Sequence, residues 1–130
     1  MRQLTLDGIE RFGSKWRVTI SLPVPKDVPS LFAEVKESFE IIKLGHNIAS
    51  KLVSRLKSQR NLLPEDSLED VDDLMENIES SLIYENVNAL KDWDVVDLAE
   101  LASDVQESLI ALLNELYDWA GYYRILISVQ

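Results

Sequence analysis

Two groups of carboxylates have the spacing that divalent-metal chemistry uses. Glu37 and Glu40 form E-x-x-E, and Asp97, Glu100 and Asp104 form D-x-x-E-x-x-x-D. On a helix each set presents its oxygens on one face, where Mg²⁺ could be held for hydrolysis of a phosphoanhydride. In a chain with 23 Asp+Glu such spacings also arise by chance, and these carboxylates lie off the apolar stripes. His46, the single histidine, falls on an apolar stripe beside Gly45, the position of a packed histidine. No Ser or Asp spacing completes a catalytic triad around it. Cysteine is absent, which excludes disulfides, thiolate nucleophiles and Cys-ligated zinc or iron–sulfur sites. The expectation is therefore no cofactor, no metal and no catalytic residue.

What the sequence does concentrate is charge. Residues 1–60 carry 11 Lys+Arg against 6 Asp+Glu, and residues 61–130 carry 2 against 17, which together give the net charge of −10. Between Leu62 and Tyr123 the only cation is Lys91. Surfaces tuned for solubility intersperse both signs, and like charges one helical turn apart cost roughly 0.2–0.5 kcal/mol per pair. A solvated helix face explains one acidic stripe; two adjacent stripes fit a surface that recognises cations. The candidate binding residues are Glu65, Asp66, Glu69, Asp72, Asp73, Glu76 and Glu79 in one stripe, and Asp97, Glu100, Asp104 and Glu107 in the other. Lys51, Arg55, Lys57 and Arg60, at the end of the preceding helical segment, are the internal cations that could neutralise them.

The elements that position these residues follow from periodicity. Lys15 to Leu22 alternates, with Trp16, Val18, Ile20 and Leu22 on one face, and reads as a half-buried strand. Gly13-Ser14 before it suits a two-residue hairpin turn that sets Phe12 opposite Lys15 and Glu10 opposite Arg17. Leu4 and Leu6 then need a bulge at Asp7-Gly8 to point inward. Pro23, Pro25 and Pro29 delay a helix until about Ser30, which can cap it. Leu31, Val35, Phe39, Ile42, His46, Ala49, Val53 and Leu56 make one apolar stripe on a long helix ending near Asn61, with Gly45 a candidate bend. A second helix starts near Ser67, with Leu68, Val71, Leu74 or Met75, Ile78 and Leu82 inward, and a short helical turn falls within Glu85 to Lys91. Asp92 or Asp94 caps a third, whose stripe runs from Leu98 to Leu116 and which Gly121 is placed to end. Tyr123, Ile125, Ile127 and Val129 alternate in a terminal strand. Trp93, Tyr117, Trp119, Tyr122 and Tyr123 are placed to fill the joint between that helix and the strand, or to anchor an interface.

These elements predict an α+β domain spanning 1–130: an N-terminal hairpin over 1–24, a helical region over 30–120 and a strand over 122–129. Three or four helices would pack on one face of a small antiparallel sheet formed by the N- and C-terminal strands, since an isolated hairpin is marginal in water. The start of the sequence, with Arg2, Asp7, Glu10 and Arg11, lacks the apolar core of a signal peptide, and no stretch approaches about 18 apolar residues. The expectation is a soluble, cytoplasmic protein without membrane contact.

As function, the charge pattern predicts a non-enzymatic acidic binding protein. It would dock on a basic protein surface, such as a nucleic-acid-binding cleft, and inhibit or regulate it without touching nucleic acid itself. Phage counter-defence inhibitor, antitoxin and immunity protein are the concrete forms. One alternative is an accessory subunit that assembles with itself, as a homodimer, or with others through its aromatic C-terminal region. The other is a Mg²⁺-dependent hydrolase whose carboxylate spacing is similar to that of the all-helical nucleoside triphosphate pyrophosphohydrolases.

Overall fold

The computed structural model describes residues 9–12, 15–24 and 27–129, with side chains for 18–24 and 27–128. The bulge expected at Asp7-Gly8 and the turn at Gly13-Ser14 lie outside the described residues. Three strands, β1 (Ile9–Phe12), β2 (Lys15–Leu22) and β3 (Ile125–Val129), accompany four α-helices. The helices are α1 (Val28–Ala33), α2 (Ser38–Gln59), α3 (Leu68–Leu82) and α4 (Val95–Tyr122), with 3₁₀ turns at Arg60–Leu62, Glu65–Ser67 and Val87–Asp92.

The antiparallel sheet expected of the two chain ends is corrected by the strand pairing. β3 runs parallel to β2, with Val18 opposite Ile125 and Leu22 opposite Val129, while β1 pairs with β2 on its other side, antiparallel, with Glu10 opposite Arg17. Alternating side chains bury the same face whichever way a partner strand runs, so period alone does not set direction. A parallel pair needs a crossover connection, and here the whole helical region between β2 and β3 is that connection. The architecture is a mostly helical domain in which α2, α3 and α4 pack chiefly on one another, with β2 against α2 and β3 against α4.

α2 is the centre of this arrangement. Its buried residues are Phe39, Ile41, Ile42, Gly45, Ile48, Ala49, Leu52, Val53 and Leu56, a wider sector than the single stripe the sequence predicts, because α3, α4 and β2 approach it from different sides. α3 buries Val71, Leu74, Met75, Ile78 and Leu82, and α4 buries Ala102, Val105, Leu109, Leu113 and Leu116. Burying a side chain of this kind is worth about 1.5–3 kcal/mol, so the interhelical seam dominates the fold. At its crossing with α4, Gly45 meets Val105: a Cβ added at Gly45 would collide with Val105 Cγ1 and lie 3.9 Å from Phe32 Cζ. Gly45 is thus where Val105 of α4 packs against the α2 backbone, within one uninterrupted helix.

Three local expectations are overturned by tertiary contacts. The long helix from Ser30 is broken at Glu34–Glu37, since Phe32, only 2% exposed, folds back toward Gly45 and the chain must turn to let α1 lie beside α2 and α4. Asp27, not Ser30, caps α1: its Oδ1 accepts from the Ser30 amide at 3.2 Å, and Pro29 sits within the first turn, where its missing N–H costs nothing. Gly121 stays inside α4, and the left-handed residue that ends the helix is Arg124, at φ 59°.

Side chains complete the backbone pairing. Gln59, at the end of α2, accepts from the Ser21 amide at 2.9 Å and donates to the Ser21 carbonyl at 2.7 Å, so its primary amide reproduces a strand partner's donor and acceptor on β2. Ser67, fully buried, donates its hydroxyl to the Pro64 carbonyl at 2.6 Å instead of capping α3. His46 Nδ1 accepts from the Tyr84 amide at 3.1 Å, and the two rings stack, so the histidine secures the chain as it leaves α3. Replacing Gly45 by Ala is expected to cost about 1–3 kcal/mol through overpacking, despite the roughly 1 kcal/mol that Ala gains over Gly in a helix. Denaturant melts should show the Gly45→Ala/Val105→Ala double variant losing less than the two single losses added; strictly additive losses would mean that the residues do not clash.

Candidate protein-docking surface

Helical spacing lays the carboxylates out in rows. On α4, Asp97, Glu100, Asp104 and Glu107 follow at three- and four-residue steps, and after a turn occupied by Ala111 the row resumes at Glu115 and Asp118, so most of one helix face is acidic. All six are exposed. On α3, Glu69, Asp73 and Glu76 face solvent, with Asp72 and Glu79 along one edge and Asp70 along the other; Glu65 and Asp66 extend the row onto the preceding 3₁₀ turn.

Among the described residues the internal cations reach one edge only. Arg60 grips Asp72 in a two-pronged contact, Nε to Oδ1 at 2.8 Å and Nη2 to Oδ2 at 2.7 Å, and Lys57 Nζ lies 3.4 Å from Glu79 Oε2. The guanidinium holds the Asp72 carboxyl below the usual carboxylate range, and the carboxylate raises Arg60 in turn. Both ion pairs are substantially solvated, a setting in which such pairs add little to stability. Lys51 and Arg55, which the sequence also offered as neutralising partners, instead line a shallow groove with Pro23, Ser50 and Ser54. Lys91 sits over the Phe39 ring, 5.5 Å from its centroid. Of the carboxylates singled out in the sequence, Asp72 and Glu79 are thus paired, and the others make no ion pair among the described residues.

The opposite edge of α3 opens into a cleft of about 500 Å³ against the C-terminal part of α4. Asp70, Asp73 and Leu74 come from α3, Glu115, Asp118, Trp119 and Tyr122 from α4, and Tyr123 closes the end. Tyr123 donates its hydroxyl to Asp70 Oδ2 at 2.6 Å. That bond, with burial and the charges of Asp70 and Asp66 behind it, pushes the Tyr123 phenol up to about 12. Its ring meets Tyr122 edge to face at 4.8 Å and lies 6.1 Å from Trp119. Trp119 is 8% exposed and Tyr122 81%. The five clustered aromatics of the sequence are therefore divided: Trp119 packs inward, Tyr122 and Tyr117 face outward, and Trp93 lies beyond the far end of α4 beside exposed Val95 and Val96.

Apart from Asp73, the cleft carboxylates were not among the candidate binding residues, and Tyr122 and Tyr123 were singled out only as fillers of the joint or anchors of an interface. A signal for them existed: Glu115, Asp118 and Tyr122 resume the Asp97–Glu107 spacing two turns beyond Glu107. Only the antiparallel contact of α3 with α4 puts Asp70 and Asp73 across from them. Among the described residues no three His, Asp or Glu converge closely enough to hold a metal ion, Glu37–Glu40 and Asp97–Asp104 included. No helix of the described residues is long and apolar enough to cross a membrane. Compared with protein-family models, curated proteins and solved structures, the chain matches none of them.

Two measurements check this electrostatic picture. Because the folded Tyr123 phenol titrates above its unfolded value of 10, its contribution to stability is intact below pH 10 and lost as pH rises toward 12. Ultraviolet titration should find a phenol ionising near 12, and Asp70→Asn should bring it back toward 10. Uncompensated repulsion should also be screened by salt, so the melting temperature should rise between about 20 mM and about 300 mM NaCl; a flat response would mean that the carboxylates impose no strain.

Proposed function

We propose that the protein is a non-enzymatic acidic binding protein that docks on a basic protein surface, such as a nucleic-acid-binding cleft, and blocks or regulates it. The observation that carries the reading is the carboxylate surface of α3 and α4, which, among the described residues, internal cations neutralise only along the edge facing α2. A rigid array of carboxylates on two packed helices presents regularly spaced anions, as a nucleic-acid backbone does, and long-range attraction to a cationic cleft speeds encounter. Inhibitor of a defence nuclease, antitoxin and immunity protein are forms that this chemistry serves, and the cytoplasm is where such targets work.

A second reading, an accessory subunit, is favoured by one observation. Trp93, Val95 and Val96 are 47, 77 and 61% exposed at the start of α4, an apolar tip suited to assembly with itself or another chain. Sedimentation across a concentration series separates the two, because an assembly subunit should self-associate or require its partner through this tip at any salt.

For the docking reading, a basic protein recovered from the native host should bind at low salt and be released at high salt. The variant carrying Glu69→Lys, Asp73→Lys, Glu76→Lys and Glu100→Lys should associate at least about tenfold more slowly with no loss of melting temperature at low salt. Unaltered association by that variant would sink the proposal.

A further inference from the structure

α4 begins before it has anything to pack on. Val95 and Val96 are exposed, Leu98 is half-buried, and the first buried residue of the helix is Ala102, so about two turns stand clear of the core. With exposed Trp93 they form an apolar tip, and Asp92, Asp94 and Asp97 flank it in sequence without an ion pair among the described residues. Asp94 holds the N-cap position yet makes no capping hydrogen bond, and Lys91, the nearest cation in sequence, lies over the Phe39 ring. The complementary feature is on α2. Pro23, Ser50, Lys51, Ser54 and Arg55 line a groove of about 430 Å³ that has no carboxylate in its wall, and Lys51 and Arg55 make no ion pair among the described residues. Within one chain the two do not meet: Lys91 lies at Phe39, near the start of α2, and the groove begins at Ser50, about three helical turns further along.

We propose that the tip of one copy of this chain docks in the α2 groove of a second copy, with the Trp93 ring on Pro23 and the Arg55 guanidinium, and Asp94 and Asp97 against Lys51 and Arg55. The proposal rests on the accessory-subunit reading and names what the tip binds. An indole attracts a cation more strongly than the other aromatic rings do, and its apolar body suits Pro23 and the aliphatic stems of Lys51 and Arg55. Pairing tip with tip would cover the same apolar side chains, but it would set Asp92, Asp94 and Asp97 of two copies against one another, which like charge opposes. The groove supplies the cations that the tip lacks. A contact between two different patches is head-to-tail, so it closes into a ring where successive rotations return to the start and otherwise runs on as a filament. One tip in a shallow groove belongs with the interfaces below about 1,200 Å² that associate weakly. It leaves the carboxylates of α3 free.

Sedimentation velocity of the full chain tests this. Between about 10 µM and about 1 mM, in about 150 mM NaCl, the chain should pass from monomer to larger species. Lys51→Glu with Arg55→Glu, and separately Trp93→Ser with Val95→Ser and Val96→Ser, should each weaken self-association at least about tenfold. None of these side chains is buried, so circular dichroism should show both variants folded. Mixing them is the decisive step. The groove variant keeps an intact tip and the tip variant an intact groove, so an equimolar mixture should form one-to-one dimers that grow no further. A chain that stays monomeric to about 1 mM, or two folded variants that do not pair when mixed, overturns the proposal. Self-association lost in the tip variant and kept in the groove variant overturns the groove and leaves the accessory-subunit reading standing. A wholly monomeric chain removes self-assembly from that reading as well.

Discussion

The close crossing of α2 and α4 at Gly45 and Val105 constrains everything else in this fold. With no side chain at Gly45, Val105 can sit against the α2 backbone, and the two long helices share one seam while α3 and β2 pack on other sides of α2. A helix so enclosed has little surface left for its own charges. The basic residues of α2 therefore emerge where neighbours leave room: Lys51 and Arg55 beside Pro23, and Lys57 with Arg60 at the end that faces α3. The uneven neutralisation of the acidic helices is a consequence of packing. Arg60 and Lys57 reach Asp72 and Glu79 because those lie on the near edge of α3, and no α2 side chain forms an ion pair with its far edge or with α4.

This explains which features were legible in the amino-acid order. The inward residues of α3 and α4 follow a period of three and four, and local period is a direct record of which face is buried; Val71, Ile78, Val105, Leu109 and Leu116 are accordingly in the core. The inward residues of α2 were only half visible, because Ile41, Ile48 and Leu52 belong to a second buried face that exists only when a third element is present. Strand direction, the break at Glu34–Glu37 and the helix end at Arg124 have the same origin. Each is decided by a contact between segments far apart in sequence, such as Phe32 with the Gly45 crossing, and no local pattern encodes it.

The acidic site was legible as composition and not as geometry. Counting charges locates the surplus in the second half of the chain, but it gives equal weight to Asp72, which a guanidinium holds, and to Asp118, which nothing in the described structure neutralises. It also misses Asp70 and Glu115, which gain meaning only when α3 and α4 lie side by side. The aromatics behave likewise: Trp93 and Tyr122 both belong to an aromatic-rich end of the sequence, yet α4 is 28 residues long and separates them by its whole length.

The distinction between a solvated acidic face and a recognition surface turns on cost. An outer row such as Asp97 to Glu107 is exposed to water, which screens its charges, so its repulsion is mild and solubility alone is a sufficient reason for it. The cleft carboxylates are exposed to the same water, so the same reason suffices for them, and what sets the cleft apart is its aromatic company: Tyr122 and Tyr123 stand among the acids, and the Tyr123 phenol donates a short bond to Asp70.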